Sequence, residues 1–247
     1  GVVGILLFAL SVLVIRNPAP VAQEDNQGIG AFVTSVLGSI LRVARIRHVW
    51  HAAFIGGLLF GILLACGVVW APKLMAVRGM DPSHATIAAS LIWLGLAVGC
   101  LVVPKWSDVA RRRKMPILAC AAMQLLVFVA LVYAPELSVS MMMGLCFAFG
   151  LGSAAHMLAF STAADVVEPS EIGTASSLVN GIMFLMGGVL ISRPGMRIDM
   201  GIAEGVEHGM ALAQYAARPL VVALLLALLL AAFMCETYPQ NSARQLF

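Results

Sequence analysis

Charged side chains are scarce in this sequence. Only 11% of the 247 residues are Asp, Glu, Lys or Arg, whereas a soluble domain usually has about a quarter. Apolar residues make up 61% and the mean hydropathy is +0.98. The few charges occur in short islands, and the apolar segments between them are about 20 residues long, the length of an α-helix that crosses a bilayer. This composition excludes a soluble globular domain and predicts a membrane protein with several spans.

Metal-type cysteine spacings are also lacking. The five cysteines lie inside or at the ends of apolar segments, so we interpret them as small packing residues. We therefore expect no disulfide, no metal ion and no cofactor. Aspartate and glutamate are missing from the middle of every predicted span, so proton coupling through a buried carboxylate is not predicted for these segments.

Six apolar segments predict six transmembrane helices and hence an all-α membrane protein, because a span in lipid must satisfy its own backbone hydrogen bonds. The predicted spans are 50–71, 83–103, 115–134, 137–164, 171–192 and 219–235. The predicted division of the chain is the end of a transmembrane helix (1–16), a cytoplasmic linker (17–49), a six-helix lobe (50–236) and a cytoplasmic tail (237–247). Because Gly1 opens the chain within an apolar segment, we expect a fragment.

Prolines and a basic stretch refine these boundaries. A proline costs little in the first turn of a helix, and five prolines are predicted there: Pro82, Pro116, Pro135, Pro169 and Pro219. Pro72 predicts the end of the first span, and Pro104 and Pro194 fall near the predicted ends of later spans. Arg42, Arg45 and Trp50 indicate either a basic amphipathic helix on the membrane surface or an ordinary solvated helix.

A run of four basic residues, 111–114, separates the second predicted span from the third. One Lys or Arg at mid-span costs about 2.5–3.5 kcal/mol, so the run must lie outside the bilayer, and positive loops remain in the cytoplasm. The alternation of spans then places ten of the fifteen basic residues on the cytoplasmic side and predicts a cytoplasmic C-terminus in a cell inner membrane. The ten are Arg16, Arg42, Arg45, Arg47, Lys105, Arg111, Arg112, Arg113, Lys114 and Arg244. The other five are assigned to outer loops: Lys73, Arg78, Arg193, Arg197 and Arg218.

The basic run belongs to a longer pattern, PKWSDVARRRK, which resembles the loop motif G-x-x-x-D-R-x-G-R-R-K of major facilitator superfamily transporters. The matching residues are Asp108, Arg112, Arg113 and Lys114, and the departures are Pro104, Val109 and Arg111. The stretch EPSEIGTASSLVNGIMF also resembles the start of helix 11 in nutrient and organic-anion members. The order of spans resembles the C-terminal half of such a transporter, from the end of helix 6 through helices 7–12.

This resemblance implies a six-helix lobe of a major facilitator fold, preceded by a partial transmembrane helix, whose partner is the missing N-terminal lobe of the same protein. It implies that Asp108, with Arg112, Arg113 and Lys114, helps to lock the cytoplasmic gate by facing a helix of the opposite lobe. Two alternatives stay open for the acidic loop formed by Asp165, Glu168 and Glu171. The loop either pairs with the basic run or faces water.

The substrate-site candidates centre on His156, the one ionisable residue deep within a predicted span, since such residues are functional candidates by default. Four residues of the fourth span are spaced i, i+4, i+7 and i+11 and are predicted to share one helix face: Phe149, Ser153, His156 and Phe160. Asn180 of the fifth span is predicted at a similar depth, and Phe60 marks a possible cavity face on the first span. The alternative is that His156 only links neighbouring helices.

The predicted function is secondary active transport of a small polar solute by alternating access, with an amino acid or organic anion favoured and a proton as a possible coupling ion. An enzyme and a nucleic-acid-binding protein are not predicted. Two alternatives remain: a transporter-like membrane sensor or structural protein, and a half-size carrier that acts as a dimer.

Overall fold

The computed structural model describes residues 2–14 and 29–239, and every regular element in these ranges is helical. The chain forms two units, Gly1–Gly38 and Ser39–Phe247. The first contains α1 (Val2–Val14), which is apolar along its length, and the beginning of α2 (Ile29–Ala44). Most of the predicted linker, residues 17–28, and residues 240–247 of the predicted tail lie outside the described residues.

The second unit contains six helices that are long and apolar enough to cross a membrane, and we call it the six-helix lobe. These helices are α3 (Arg47–Val77), α4 (Pro82–Ala110), α5 (Lys114–Tyr133), α6 (Val139–Ala164), α7 (Pro169–Ala203) and α8 (Met210–Phe233). Each overlaps one of the six predicted spans. The prediction of an all-α membrane protein with a six-helix lobe is confirmed.

Three prolines that were predicted at helix boundaries lie inside helices. Pro104 belongs to α4, Pro194 to α7 and Pro219 to α8, so the predicted boundaries there are wrong. A proline removes one backbone donor, and neighbouring helices can satisfy the acceptors that it leaves free. Next to the Leu190 carbonyl, which loses its helical donor at Pro194, the carbonyl oxygen of Ile191 accepts a hydrogen bond from the indole Nε1 of Trp70 on α3 at 2.9 Å.

Two connections that were predicted as outer loops are shorter than predicted: 78–81 between α3 and α4, and 204–209 between α7 and α8. Three arginines that were assigned to outer loops lie within α7 and α8: Arg193, Arg197 and Arg218. Pro72 does not end the first span, which continues to Val77. Pro135 precedes α6 without starting it, because the N-cap of that helix is Ser138. The predicted positions of Pro82, Pro116 and Pro169 in or at a first helical turn are confirmed.

Glycines bring two pairs of spans into backbone contact. On α3, Gly57 and Gly61 pack against α7, and on α4, Gly95 and Gly99 pack against α6. A Cβ atom at Gly95 would lie only 2.0 Å from the carbonyl oxygen of Phe147. The two GxxxG spacings of the sequence therefore serve close helix packing, which fixes α3 beside α7 and α4 beside α6.

Helix α3 is the most buried of the six spans, since 72% of an 18-residue apolar stretch within it is buried inside the lobe. Its regular α-helix ends at Leu64, and a π-helical segment, Ala65–Trp70, follows before the α-helix resumes. The indole Nε1 of Trp93 donates to the carbonyl oxygen of Gly67 within this segment at 3.2 Å. π-Helical segments are frequent near functional sites, and this one begins just over one turn after Phe60.

Candidate functional site

The ring of His156 is buried in α6, with only 6% of the residue exposed. The helix tightens into a 3₁₀ segment over Ala154–Met157, and the Nδ1 atom of His156 lies 2.7 Å from the carbonyl oxygen of Ser153. A carbonyl oxygen only accepts hydrogen bonds, so Nδ1 carries the proton and donates it. In the neutral tautomer this leaves Nε2 as a hydrogen-bond acceptor.

His156 is one of three rings, from three different helices, that contact one another in series. The centroid of the Phe60 ring, on α3, lies 5.1 Å from that of His156 and 5.4 Å from that of Phe184, on α7. Phe184 meets Phe60 edge-on, an arrangement that aromatic pairs prefer. We call Phe60, His156 and Phe184 the aromatic corner. Its members range from buried His156 to Phe184, which is 60% exposed in the lobe.

Asn180 lies one helical turn before Phe184 on α7. Residues four apart on a helix share one face and are separated by about 6 Å along its axis. Asn180 is exposed, so its amide is accessible beside the exposed edge of the aromatic corner. Phe184 was missed in the sequence, although its i+4 spacing from Asn180 was the signal that pointed to it.

The remaining candidates of the fourth span lie in other surroundings. The Oγ of Ser153 donates to the carbonyl oxygen of Phe149 and accepts a hydrogen bond from Nε2 of Gln124 on α5, both at 2.8 Å. The Phe149 ring is buried and packs against Phe128, with centroids 6.1 Å apart. Phe160 is half-buried and packs against the apolar cluster that contains Val43 and Val179.

The four residues thus do not share one environment. Phe149 and Ser153 face α5, whereas His156 faces Phe60 on α3. The reason is local, since the 3₁₀ segment that contains His156 turns by about 120° per residue instead of 100° and shifts the later residues around the helix.

A second candidate region lies where α4, α6 and α8 end and α5 begins. Arg113 forms ion pairs with Asp108 at 2.7 Å and with Asp165 at 3.0 Å, and its Nη1 also donates to the Oγ of Ser107. We call Asp108, Arg113 and Asp165 the ion-pair cluster. The side chains of Arg113 and Asp165 are only 11% and 12% exposed, but that of Asp108 is 61% exposed. The cluster links three successive spans.

Glu236, just after α8, connects that helix to the ion-pair cluster. Its carboxylate accepts hydrogen bonds from the backbone N–H groups of Arg113 at 2.7 Å and Lys114 at 3.3 Å. The Arg113 guanidinium also lies over the ring of Tyr238, 4.8 Å from its centroid. Glu236 and Tyr238 were missed because no spacing in the sequence connects them to residue 113. The side chain of Arg112 is exposed.

The alternatives for the acidic loop are now distinguished residue by residue. Asp165 pairs with Arg113, so pairing with the basic run is confirmed for this residue. Glu171 pairs instead with Arg42 at 2.5 Å, and Glu168 is exposed.

The ionisation of Asp165 reflects two opposing effects. Burial raises the pKa of the Asp165 carboxyl, and the hydrogen bond from Arg113 opposes that shift; the net effect is a pKa above its usual value. Burial therefore outweighs the single guanidinium as an influence on this carboxyl group.

The part of the chain that the structure describes has no group of three or more His, Cys, Asp or Glu residues close enough to hold a metal ion. The candidate site thus consists of aromatic rings, one amide and one imidazole, and the ion-pair cluster lies at one end of the lobe. Together with six apolar spans, this defines a multi-pass membrane protein.

Comparison with known families identifies that protein class more closely. The sequence model of the Major Facilitator Superfamily matches residues 1–192, from α1 into α7. The chain belongs to the major facilitator superfamily, and it is a membrane transporter. No curated protein matches the sequence.

Proposed function

We propose that the protein carries out secondary active transport of a small polar solute, and that the solute binds against the aromatic corner and Asn180. The observation that carries this proposal is the series of rings that joins α6, α3 and α7, from His156 through Phe60 to Phe184, with Asn180 exposed beside it. Sites in transporters lie near the middle of the spans, where helices from different repeats meet.

The chemistry of these residues suits a solute that has both an apolar part and hydrogen-bonding groups. The Asn180 amide can donate and accept, His156 Nε2 can accept, and the two phenylalanine rings can pack against carbon atoms. The carbonyl oxygen of Ser153 accepts the hydrogen bond from His156, and that of Phe149 accepts the one from the Ser153 hydroxyl. Phe160 packs against an apolar cluster that Phe60 also contacts. An amino acid or organic anion is favoured by the resemblance of residues 168–184 to the start of helix 11 in carriers of such solutes.

In the proposed cycle, the lobe rocks against a second, N-terminal lobe. The ion-pair cluster lies at the cytoplasmic end, in a cell inner membrane, and helps to close the pathway on that side. The exposed carboxylate of Asp108 can face the positive end of a helix in the second lobe, while Arg112 and Lys114 flank the cluster. A proton is the proposed coupling ion, and the buried imidazole of His156 is its proposed acceptor.

The test is uptake of labelled amino acids and organic anions by cells that express the full-length gene. His156→Ala should reduce uptake of the transported solute by at least tenfold, since the substitution removes both the acceptor and the ring against Phe60. Membrane abundance should stay unchanged. His208→Ala is the matched control, because His208 is exposed outside the spans.

Full uptake by His156→Ala would remove this residue from the site. If no solute of either class is taken up by the unmodified protein, the proposed solute class is wrong, and a sensor or structural role becomes the better interpretation. Uptake by a protein that consists of the six-helix lobe alone would favour the half-size carrier.

A further inference from the structure

An open pocket of about 400 Å³ lies where the first and last spans of the six-helix lobe meet. Its lining on α3 includes Arg47, His48, Trp50, His51 and Phe54, and Phe233 lines it from α8. We call it the α3–α8 pocket. Glu236, three residues after Phe233, binds the backbone of Arg113, so the pocket is at the same end of the lobe as the ion-pair cluster. It is separate from the aromatic corner.

The pocket collects basic groups that the lobe does not neutralise. Arg47 and His51 are one helical turn apart and share a face, and His48, three residues before His51, also lines the pocket. Elsewhere at this end, Arg42 is paired with Glu171 and Arg113 with two aspartates. Within residues 29–239, by contrast, no carboxylate forms an ion pair with Arg47, His48 or His51. The pocket is therefore a site of uncompensated positive charge and of imidazole hydrogen-bond donors.

Beyond the basic groups the pocket becomes apolar. Phe54 lies seven residues after Arg47, about 10 Å further along the helix axis, and it stacks on Trp50 with ring centroids 6.0 Å apart. Phe54 is 39% exposed and Phe233 is 75% exposed. The indole Nε1 of Trp50 donates to the carbonyl oxygen of Ala44, so the polar edge of that ring points away from the span. The basic residues at the mouth of the pocket match the headgroup of a lipid, and the aromatic rings match its acyl chains.

We propose that the α3–α8 pocket binds an anionic phospholipid, with the phosphate held by Arg47, His48 and His51 and an acyl chain lying against Phe54 and Phe233. Basic pockets between transmembrane helices on the positively charged side of a membrane protein bind anionic headgroups in this way. A lipid bound there contacts both α3, the span that contains Phe60, and α8.

A lipid fits better than a free phosphate ion. A free anion would use only the three basic groups and would leave the exposed rings of Phe54 and Phe233 without a partner. The apolar half of the pocket also buries an acyl chain, a favourable contribution that inorganic phosphate cannot supply.

The experiment is native mass spectrometry of the purified full-length protein, with phosphatidylglycerol and phosphatidylcholine of identical acyl chains added in turn. The unmodified protein should retain phosphatidylglycerol preferentially. Arg47→Gln should weaken that retention about fivefold, the effect of one basic residue near an anionic lipid, and the triple change of Arg47, His48 and His51 to Gln should abolish the preference. Arg45→Gln is the control, because it removes an exposed charge two residues outside the pocket.

The proposal would be overturned by equal retention of both lipids by the unmodified protein, by an unchanged preference in Arg47→Gln, or by the same loss in Arg45→Gln. Displacement of phosphatidylglycerol by excess inorganic phosphate at constant ionic strength would assign the pocket to a free anion and also overturn it. The single substitution decides the matter if the triple variant does not fold, because Arg47 is exposed at the start of α3.

Discussion

Arg113 and Asp165, which are 52 residues apart in the chain, form an ion pair in which the Arg113 Nε donates to Asp165 Oδ2 at 3.0 Å. The contact joins the beginning of α5 to the end of α6. Both side chains are nearly buried, whereas Asp108, the other partner of Arg113, is mostly exposed. The pair with Asp165 should consequently contribute more to the stability of the lobe than the pair with Asp108.

Arg113→Gln should lower the free energy of unfolding by about 1.5–3 kcal/mol, the value of a hydrogen bond to a charged group whose loss leaves a carboxylate unpaired. The measurement is thermal or denaturant unfolding in detergent. Arg112→Gln removes the same charge from the neighbouring, exposed position and should change stability by no more than about 0.5 kcal/mol. Equal effects of the two variants would show that the pair does not stabilise the lobe.

The destabilisation by Arg113→Gln should depend on pH. Burial raises the pKa of Asp165 in the folded protein, and loss of Arg113 removes the hydrogen bond that opposes this, so the pKa rises further. A carboxyl group with a raised pKa binds its proton more tightly in the folded protein than in the unfolded chain. This stabilises the folded protein fully below the unfolded pKa of about 3.9, and the stabilisation is lost as the pH rises through the folded pKa. The difference in stability between the variant and the unmodified protein should therefore be smallest near pH 4 and grow towards neutrality.

Unfolding curves at a series of pH values measure this difference, with Arg112→Gln as a reference whose deficit should stay constant. A deficit of Arg113→Gln that does not change with pH would mean that Asp165 is not the group left unpaired.

Phe184→Ala should weaken solute transport, because it removes the exposed ring that leads from Asn180 to Phe60. Aromatic pairs contribute about 0.5–1.5 kcal/mol, so the apparent KM for uptake should rise roughly twofold to tenfold. Leu185→Ala is a matched control: Leu185 is 57% exposed, close to the 60% of Phe184, but points about 100° away around α7. A similar loss in both variants would indicate a general effect on α7 and count against the site.

Gly150→Ala and Gly144→Ala should shift stability in opposite directions although both lie on α6. A Cβ atom at Gly150 would be 1.8 Å from the carbonyl oxygen of Ile92 on α4, whereas one at Gly144 meets no atom within 4 Å. Overpacking of this kind costs about 1–3 kcal/mol, and replacing an unhindered helical glycine by alanine gains about 0.5–1 kcal/mol. Melting temperatures of the two variants test this, and a stable Gly150→Ala variant would contradict the close contact between α4 and α6.

The proposed orientation can be checked with thiol reagents in intact cells. Arg112→Cys, in a background where the exposed Cys235 is replaced by Ser, should react with a membrane-permeant reagent but be protected from an impermeant one. His208→Cys, between α7 and α8, should react with both. Labelling of residue 112 by the impermeant reagent would reverse the assignment of sides.

The sequence determined the features that depend on length and hydropathy. Six apolar segments became six helices because each is long enough to cross a bilayer and must bond its own backbone. The backbone at position 111 explains why the superfamily pattern has a glycine there. Arg111 takes the place of that glycine here and ends α4 in the left-handed region, at φ 49°, a conformation that favours glycine.

Tertiary structure decided which side chains meet. The ion pairs Arg113–Asp165 and Arg42–Glu171 form because the ends of separate helices lie close together, and no local spacing in the sequence encodes that arrangement. The separation of His156 from Ser153 and Phe149 follows from a 3₁₀ segment that helical periodicity does not predict. Phe184 and Glu236 join their clusters through packing between distant segments, because side-chain contacts in a helical lobe are set by how helices cross and not by the order of residues within each helix.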